Sequence, residues 1–238
     1  MATIQENRAW NVAPWELDGD NWVHMAKHCG QPYSKWKQSI VDCFIKPNID
    51  KDSVAVDFAC GHGRWTRYFL DVKQLILVDL NESCIDFCKQ RYKKHENIEY
   101  FVNDGKTLPF IQDNSVDFVW SFDSFVHMER DVIDSYMCEF SRILKHDGRV
   151  IIHHSGRNHQ ALNYKFLANY GVVGTYLYQI LSMQKLSVGD GWRSHVSKQI
   201  IQHLADMYGL RIVFQVDRWG DGYSCHLYRD CISCIVKE

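Results

Sequence analysis

Apolar residues recur along the chain with two periods. Between Tyr33 and Ile45, Trp36, Ile40, Val41 and Phe44 fall at helical spacing, and Pro47 ends the stretch. The period then shortens. Ser53–Phe58, Leu75–Leu80, Ile98–Val102, Val116–Ser121 and Arg149–His153 are short apolar runs of the kind that form buried strands. Helical stretches lie between them: Trp65–Leu70 behind a glycine turn, Glu82 to about Lys94, and about Glu129 to Lys145 ahead of Asp147-Gly148. Strands that alternate with helices make βαβ units and a parallel sheet.

The alternation breaks after Ser155. Residues 155–195 carry Tyr164, Phe166, Tyr170, Tyr176, Tyr178 and Trp192 without a strand-like run, which predicts a helical insertion over about 156–195 that serves as a lid. A helix over Ser197–Tyr208 follows, and Leu210–Val216 with Cys231–Val236 suit a closing antiparallel hairpin. The predicted fold is α/β: a doubly wound, Rossmann-like, seven-stranded and mostly parallel sheet with a C-terminal antiparallel hairpin and a helical lid insertion. Residues 1–32, with Trp10, Trp15 and Trp22 and no clean period, form an aromatic-rich arm. Residues 33–238 are then a single domain.

Composition narrows the classes. The chain has 238 residues, 46% of them hydrophobic and 24% charged, enough apolar mass for one large core. A net charge of −2 gives no footprint for nucleic acid or an anionic membrane, and no apolar run reaches the ~20 residues of a membrane span. The first residues lack the basic start and apolar core of a signal peptide. Nine cysteines spread through helices and strands suit reduced thiols in a cytoplasmic protein.

The chemistry concentrates in Val56-Asp57-Phe58-Ala59-Cys60-Gly61-His62-Gly63-Arg64-Trp65-Thr66, directly after the first strand. Gly61 and Gly63 let the backbone approach a ligand closely. Asp79 ends the second strand 22 residues after Asp57, where a carboxylate can accept ribose hydroxyls. The third strand is followed by Asn103-Asp104-Gly105, another acid on the same sheet edge. A dinucleotide loop wants a third glycine where Thr66 stands, and Asp57 would repel a diphosphate. The acids therefore point to a cationic nucleoside, a sulfonium, rather than to NAD.

With these residues in view, the chain resembles the class I S-adenosylmethionine-dependent methyltransferases, most closely over residues 33–155. Asp57 to Gly63 is similar to that family's first motif, with Ala59 in place of its first glycine, as if the backbone need not turn sharply there. The resemblance implies S-adenosylmethionine as cofactor and a binding set of Asp57, Ala59, Gly61, Gly63, Arg64, Asp79, Leu80, Asn103, Asp104, Gly105, Ser121 and Phe122. Arg64 suits either the methionine carboxylate or a solvated helix start.

Catalytic candidates are fewer. His127, just after the fourth strand, reads either as a general base for a hydroxyl acceptor or as a residue that orders its loop. His153 and His154 replace apolar residues at the end of the fifth strand, one pointing to each face of the sheet. Tyr176, with Tyr164, Tyr170 and Trp192, is a candidate for holding a sulfonium by cation–π contact. No metal site is expected: Cys231-x-x-Cys234 would place its thiols on opposite faces of a strand. The implied activity is methyl transfer to an oxygen or nitrogen of a small molecule, in specialised metabolism. One alternative is a cyclase that consumes S-adenosylmethionine itself, giving azetidine-2-carboxylate and methylthioadenosine. A second is a non-catalytic cofactor-binding module. No nucleic-acid or membrane partner is expected, and oligomeric state is left open.

Overall fold

A computed structural model describes residues 33–156, 171–173, 176–177, 194, 196–217, 219 and 230–238. The N-terminal arm, 1–32, and most of the expected lid lie outside the described residues.

The order of elements follows the alternation of the sequence. Helix α1 (Tyr33–Ile40) widens into a π turn at Val41–Ile45 and tightens into a 3-10 turn at Lys46–Asn48 around Pro47. Strand β1 (Val54–Phe58) is followed by a 3-10 turn at Thr66–Tyr68, then β2 (Gln74–Asp79), α2 (Glu82–Arg91), β3 (Ile98–Val102) and β4 (Val116–Ser121). After a 3-10 turn at Phe125–His127 come α3 (Arg130–Ile143), β5 (Leu144–Ser155), α4 (Lys198–Met207), β6 (Leu210–Val216) and β7 (Asp230–Lys237). The strands form one sheet in the order β3-β2-β1-β4-β5-β7-β6. β1 to β5 are parallel, and β7 runs antiparallel between β5 and β6.

Two expected features differ. The segment after the glycine turn is a single 3-10 turn and not a helix over Trp65–Leu70. Trp65 and Phe69 are both buried there, and the chain enters β2 five residues later, which leaves no length for a second helical turn. β5 starts at Leu144 rather than Arg149, because Leu144 already pairs with Val116 before a bulge that passes through Asp147 at φ +63°.

Side chains alternate across the sheet. Ala55, Leu75, Leu77, Phe118, Trp120 and Ile151 point to one face, where α1 lays down Trp36 and Ile40, the π turn Ile45, and α2 adds Ile85 and Cys88. Val54, Val56, Ile76, Val78, Val119, Val150 and Ile152 point to the other, against Ile133, Met137 and Phe140 of α3 and Ile201 and Leu204 of α4. With helices on both faces, the strands are apolar throughout. Chain order reverses between β1 and β4, so the C-terminal ends of those strands flank the crevice where open α/β sheets take ligands.

Candidate cofactor and acceptor site

Asp57 and Asp79 follow the alternation onto the same sheet face as Ala55 and Leu77, at the C-terminal ends of neighbouring strands. Both are almost fully buried. Thr66 Oγ1 donates to Asp57 Oδ2 at 2.6 Å. Burial pushes the Asp57 carboxyl up to about 7 against that hydrogen bond, and the nearby Asp79 adds repulsion. Asp79 accepts the Gly61 N–H at 2.8 Å on Oδ2 and the Asn81 N–H at 2.9 Å on Oδ1. Burial raises its pKa as well, although these backbone donors and the Leu80 N–H pull the other way. Two acids held this way favour a ligand that brings positive charge and hydroxyl donors.

The loop between them is built on left-handed backbone. Gly61 (φ +54°) and Gly63 (φ +78°) behave differently. A Cβ on Gly61 would meet nothing within 4 Å, so that side of the loop is open. A Cβ on Gly63 would lie 2.7 Å from Tyr92 Cε2, and the Tyr92 hydroxyl donates to the Gly63 carbonyl at 2.7 Å. One glycine gives room on the ligand side, the other lets the loop seat on α2. Ala59 has φ +56°, so the backbone does turn left-handed where the sequence reading expected no sharp turn, and alanine carries the strain. With no helix behind the loop, its anion-holding N-terminus is also absent. The N–H of Gly61 is given to Asp79 instead.

At the end of β3, Asn103 is buried, with its N–H on the Asp79 carbonyl at 3.0 Å and its Nδ2 donating to the Tyr136 hydroxyl at 2.7 Å. Asp104 is exposed and closes its own turn, accepting from the Lys106 and Thr107 N–H groups and from Thr107 Oγ1, each at 2.7 Å. Partial burial would raise its pKa, but these bonds outweigh it and leave the carboxyl below its ordinary value. Gly105 follows at φ +91°. Leu80 and Arg64 are half-buried beside Asp79 and Gly63 in the chain.

Across the crevice, Ser121 ends β4 fully buried, and its hydroxyl finds no hydrogen-bond partner among the described residues. Phe122 begins an aromatic wall: it stacks on His153 at 4.2 Å and on Trp120 at 5.8 Å, and packs against Trp65 at 5.1 Å and Trp36 at 6.0 Å. Sequence reasoning overlooked Trp120, Trp219 and Asp230 here. Trp120 read as ordinary strand core, and Asp230 is a lone acid ahead of an apolar run.

The catalytic candidates are scattered. His127 ends the 3-10 turn after β4, half-buried, with its N–H on the Ser124 carbonyl at 3.0 Å. His153 is buried on the Trp120 face, its Nδ1 accepting the Asp123 N–H at 3.1 Å. His154 lies fully buried on the opposite face. Its Nδ1 donates to the Ser155 carbonyl at 2.7 Å, and its Nε2 accepts from Ser233 Oγ at 2.6 Å. Burial depresses its pKa to about 4, which keeps the ring neutral. Tyr176 is 63% exposed, and Tyr164, Tyr170 and Trp192 lie outside the described residues. Among the described residues, no group of three or more His, Cys, Asp or Glu could hold a metal ion, and no helix is long and apolar enough to cross a membrane.

Residues 55–148 match the family model described as a methyltransferase domain. The chain is similar to the demethylmenaquinone methyltransferases of Staphylococcus epidermidis (29% identical over 127 residues, 51% of this chain and 49% of that one) and Bacillus licheniformis (25% over 125 residues, 50% of each). It thus spans about half the length of the curated relatives it matches. In fold it is similar to magnesium protoporphyrin IX methyltransferase from Synechocystis PCC 6803 with bound SAH (TM-score 0.63, 13% identity, 99% of both chains). It is equally similar to geranyl diphosphate C-methyltransferase from Streptomyces coelicolor A3(2), in complex with Mg2+, geranyl diphosphate and S-adenosyl-L-homocysteine (TM-score 0.63, 14% identity, 99% of this chain and 98% of that one). Through residues 55–148, set in this seven-stranded sheet, the chain is similar to the class I S-adenosylmethionine-dependent methyltransferases and shares their fold.

Proposed function

We propose that this chain transfers a methyl group from S-adenosylmethionine to a nucleophilic oxygen or nitrogen of a small molecule, in biosynthesis of specialised compounds. The observation that carries the reading is the buried pair Asp57 and Asp79, on adjacent strand ends beside the open side of Gly61. When bound, the cofactor supplies a methyl group on a sulfonium, already a good leaving group.

The chain's residues then bind and orient. Asp79 accepts the ribose hydroxyls, since its two oxygens retain acceptor capacity beyond the backbone N–H groups they already accept. Asp57 offers negative charge to the cationic amino acid end, and Arg64, next to Gly63, pairs with its carboxylate. Asn103, Asp104 and Gly105 border the base, and Leu80 packs beside it. Ser121 and Phe122 flank the methyl and the acceptor, where the unpaired Ser121 hydroxyl can donate. Holding nucleophile and methyl in line supplies several kcal/mol of the barrier reduction. For a hydroxyl acceptor we assign proton removal to His127, on the turn that follows β4. His154 is left out of the catalytic set, because both its ring nitrogens are engaged on the far face of the sheet. The named substrates of the relatives, a demethylmenaquinone, a porphyrin and geranyl diphosphate, favour a small-molecule acceptor here too.

The test is incubation of the full chain with S-adenosylmethionine, alone and with a panel of small phenols, amines and quinols, followed by mass spectrometry. Acceptor-dependent S-adenosylhomocysteine is the expected product. Methylthioadenosine formed without an acceptor would overturn methyl transfer in favour of the cyclase, and binding without any turnover would leave a cofactor-binding module.

A further inference from the structure

The turn after β4 is held from an unexpected direction. Asp123 sits in left-handed backbone, φ +67°, which a residue other than glycine adopts only at a steric cost. Its N–H points at His153 Nδ1, 3.1 Å away. A ring nitrogen that accepts an N–H carries no proton, so the neutral ring keeps its proton on Nε2. Asp230 Oδ2 lies 3.5 Å from that Nε2, within ion-pair range but longer than a formed hydrogen bond.

Sheet register produces this meeting. His153 on β5 pairs with Ile232 on β7, and Ser155 pairs with Asp230, which makes Asp230 and His153 diagonal neighbours on one face of an antiparallel ladder. Both side chains are about 95% buried. Phe122 lies flat on the imidazole at 4.2 Å, and Trp219 meets it edge-on at 5.5 Å, so the ring plane is fixed as well.

We propose that Asp230 and His153 form a positioning couple: the Asp123 N–H on Nδ1 sets the Nε2–H tautomer, the Asp230 carboxylate facing Nε2 favours a proton there electrostatically, and the bare Nδ1 fixes the Phe122-Asp123 turn at the crevice between β1 and β4. Neither residue touches the reacting atoms. The couple itself stands on geometry alone; only its consequence for turnover rests on the methyl-transfer reading. Among the described residues, the charged groups that face the ring include Asp230 from β7 and Asp123 from the turn, whose own Oδ1 is 4.0 Å from Nδ1. A second proton on the ring would turn Nδ1 into a donor. The Asp123 N–H then loses its acceptor, the Asp123 carboxylate becomes the nearest acceptor for Nδ1–H, and the turn rearranges.

The tautomer is read by NMR of ring-15N histidine in the full chain, with no need for turnover. At pH 8 we expect Nε2–H for His153, and an Asp123 amide signal that shifts as this ring is titrated. An Nδ1–H tautomer would overturn the couple. Asp230→Leu removes the negative charge that faces Nε2–H and should move the Asp123 amide signal. If Asp230→Leu fails to fold, the wild-type ring signals still decide. In turnover, His153→Leu should lose on the order of 10- to 100-fold in kcat with a melting temperature near wild type. His153→Asn, whose amide oxygen replaces Nδ1 as acceptor, should recover most of that loss. If His153→Asn is as inactive as His153→Leu while the fold is kept, the ring acts on the substrate and the proposal falls. A protein that neither binds nor consumes S-adenosylmethionine would refute the activity, and the ring signals would still judge the couple.

Discussion

The ends of β1 and β2 and the ends of β4 and β5 flank one crevice and present residues on the same sheet face, yet they meet burial in opposite ways. At β1 and β2, two carboxylates are taken out of water and held by a hydroxyl and by loop N–H groups. At β4 and β5, Trp120, Phe122 and His153 are packed ring against ring with Trp65, Trp36 and Trp219. Burying an acid costs free energy that a cationic ligand offsets, whereas burying rings contributes to folding directly. One half is shaped for a ligand that completes it, and the other is complete in the fold. Substitutions in the two halves should therefore separate binding from stability.

The largest separation is expected between Asp79→Ala and Trp120→Leu. Asp79→Ala removes the two carboxylate oxygens proposed to accept the ribose hydroxyls, and the anchor of Gly61. S-adenosylhomocysteine affinity should fall about 1000-fold, or about 4 kcal/mol. Trp120 is fully buried, so Trp120→Leu should cost about 3 kcal/mol of stability in urea titration while residual binding stays within a few-fold of wild type. Equal losses of affinity in isothermal titration calorimetry would break the division.

That division was half legible in the sequence. Asp57, Gly61, Gly63 and Asp79 stand out because strand, glycine turn and distant acid are local signals with fixed spacing. The βαβ alternation that builds the sheet is legible for the same reason. The aromatic wall is not: Trp36, Trp65, Trp120 and Trp219 come together from four distant segments, and each alone looks like core. Asp230 meets His153 only through the β5–β7 register, which no local pattern encodes. The missing helix after Gly63 failed for a physical reason too, since Thr66–Tyr68 must reach β2 within a few residues.

pH should sharpen the comparison next, because two buried groups respond with opposite signs. The Asp57 carboxyl, raised to about 7, keeps a proton in the folded state that the unfolded chain has released above pH 4. The Asp57 contribution to ligand-free stability therefore falls as pH rises from about 4 to 7, by about 4 kcal/mol at most, and the raised Asp79 carboxyl acts in the same direction. His154, depressed to about 4, excludes a proton that the unfolded chain takes up below about pH 6.5. Stability falls as pH drops from about 6.5 to 4, by about 3 kcal/mol. Asp57→Asn should reduce the first slope, leaving the Asp79 part, and His154→Leu should flatten the second, read by urea titration at each pH. A cationic ligand favours the Asp57 carboxylate, so binding of S-adenosylmethionine should release a proton between pH 5.5 and 7 and tighten as pH rises. Calorimetry in buffers of different ionisation enthalpy counts that proton, and Asp57→Asn should abolish it.

The smallest effect tests the loop itself. Ala59 and Gly61 share left-handed backbone, at φ +56° and +54°, but only one has the residue that adopts it freely. Ala59→Gly removes a steric cost of about 1 kcal/mol and gives back part of it as entropy of the unfolded chain. A net gain of about 0.5 kcal/mol is expected. Gly61→Ala reverses the change at a position where the added methyl meets nothing within 4 Å, so its cost is backbone strain alone, about 1 kcal/mol. Thermal melts of the two variants should shift in opposite directions. If Ala59→Gly also lowers the melting temperature, the methyl of Ala59 contributes packing that outweighs its strain, and the loop is held by contacts as much as the aromatic half is.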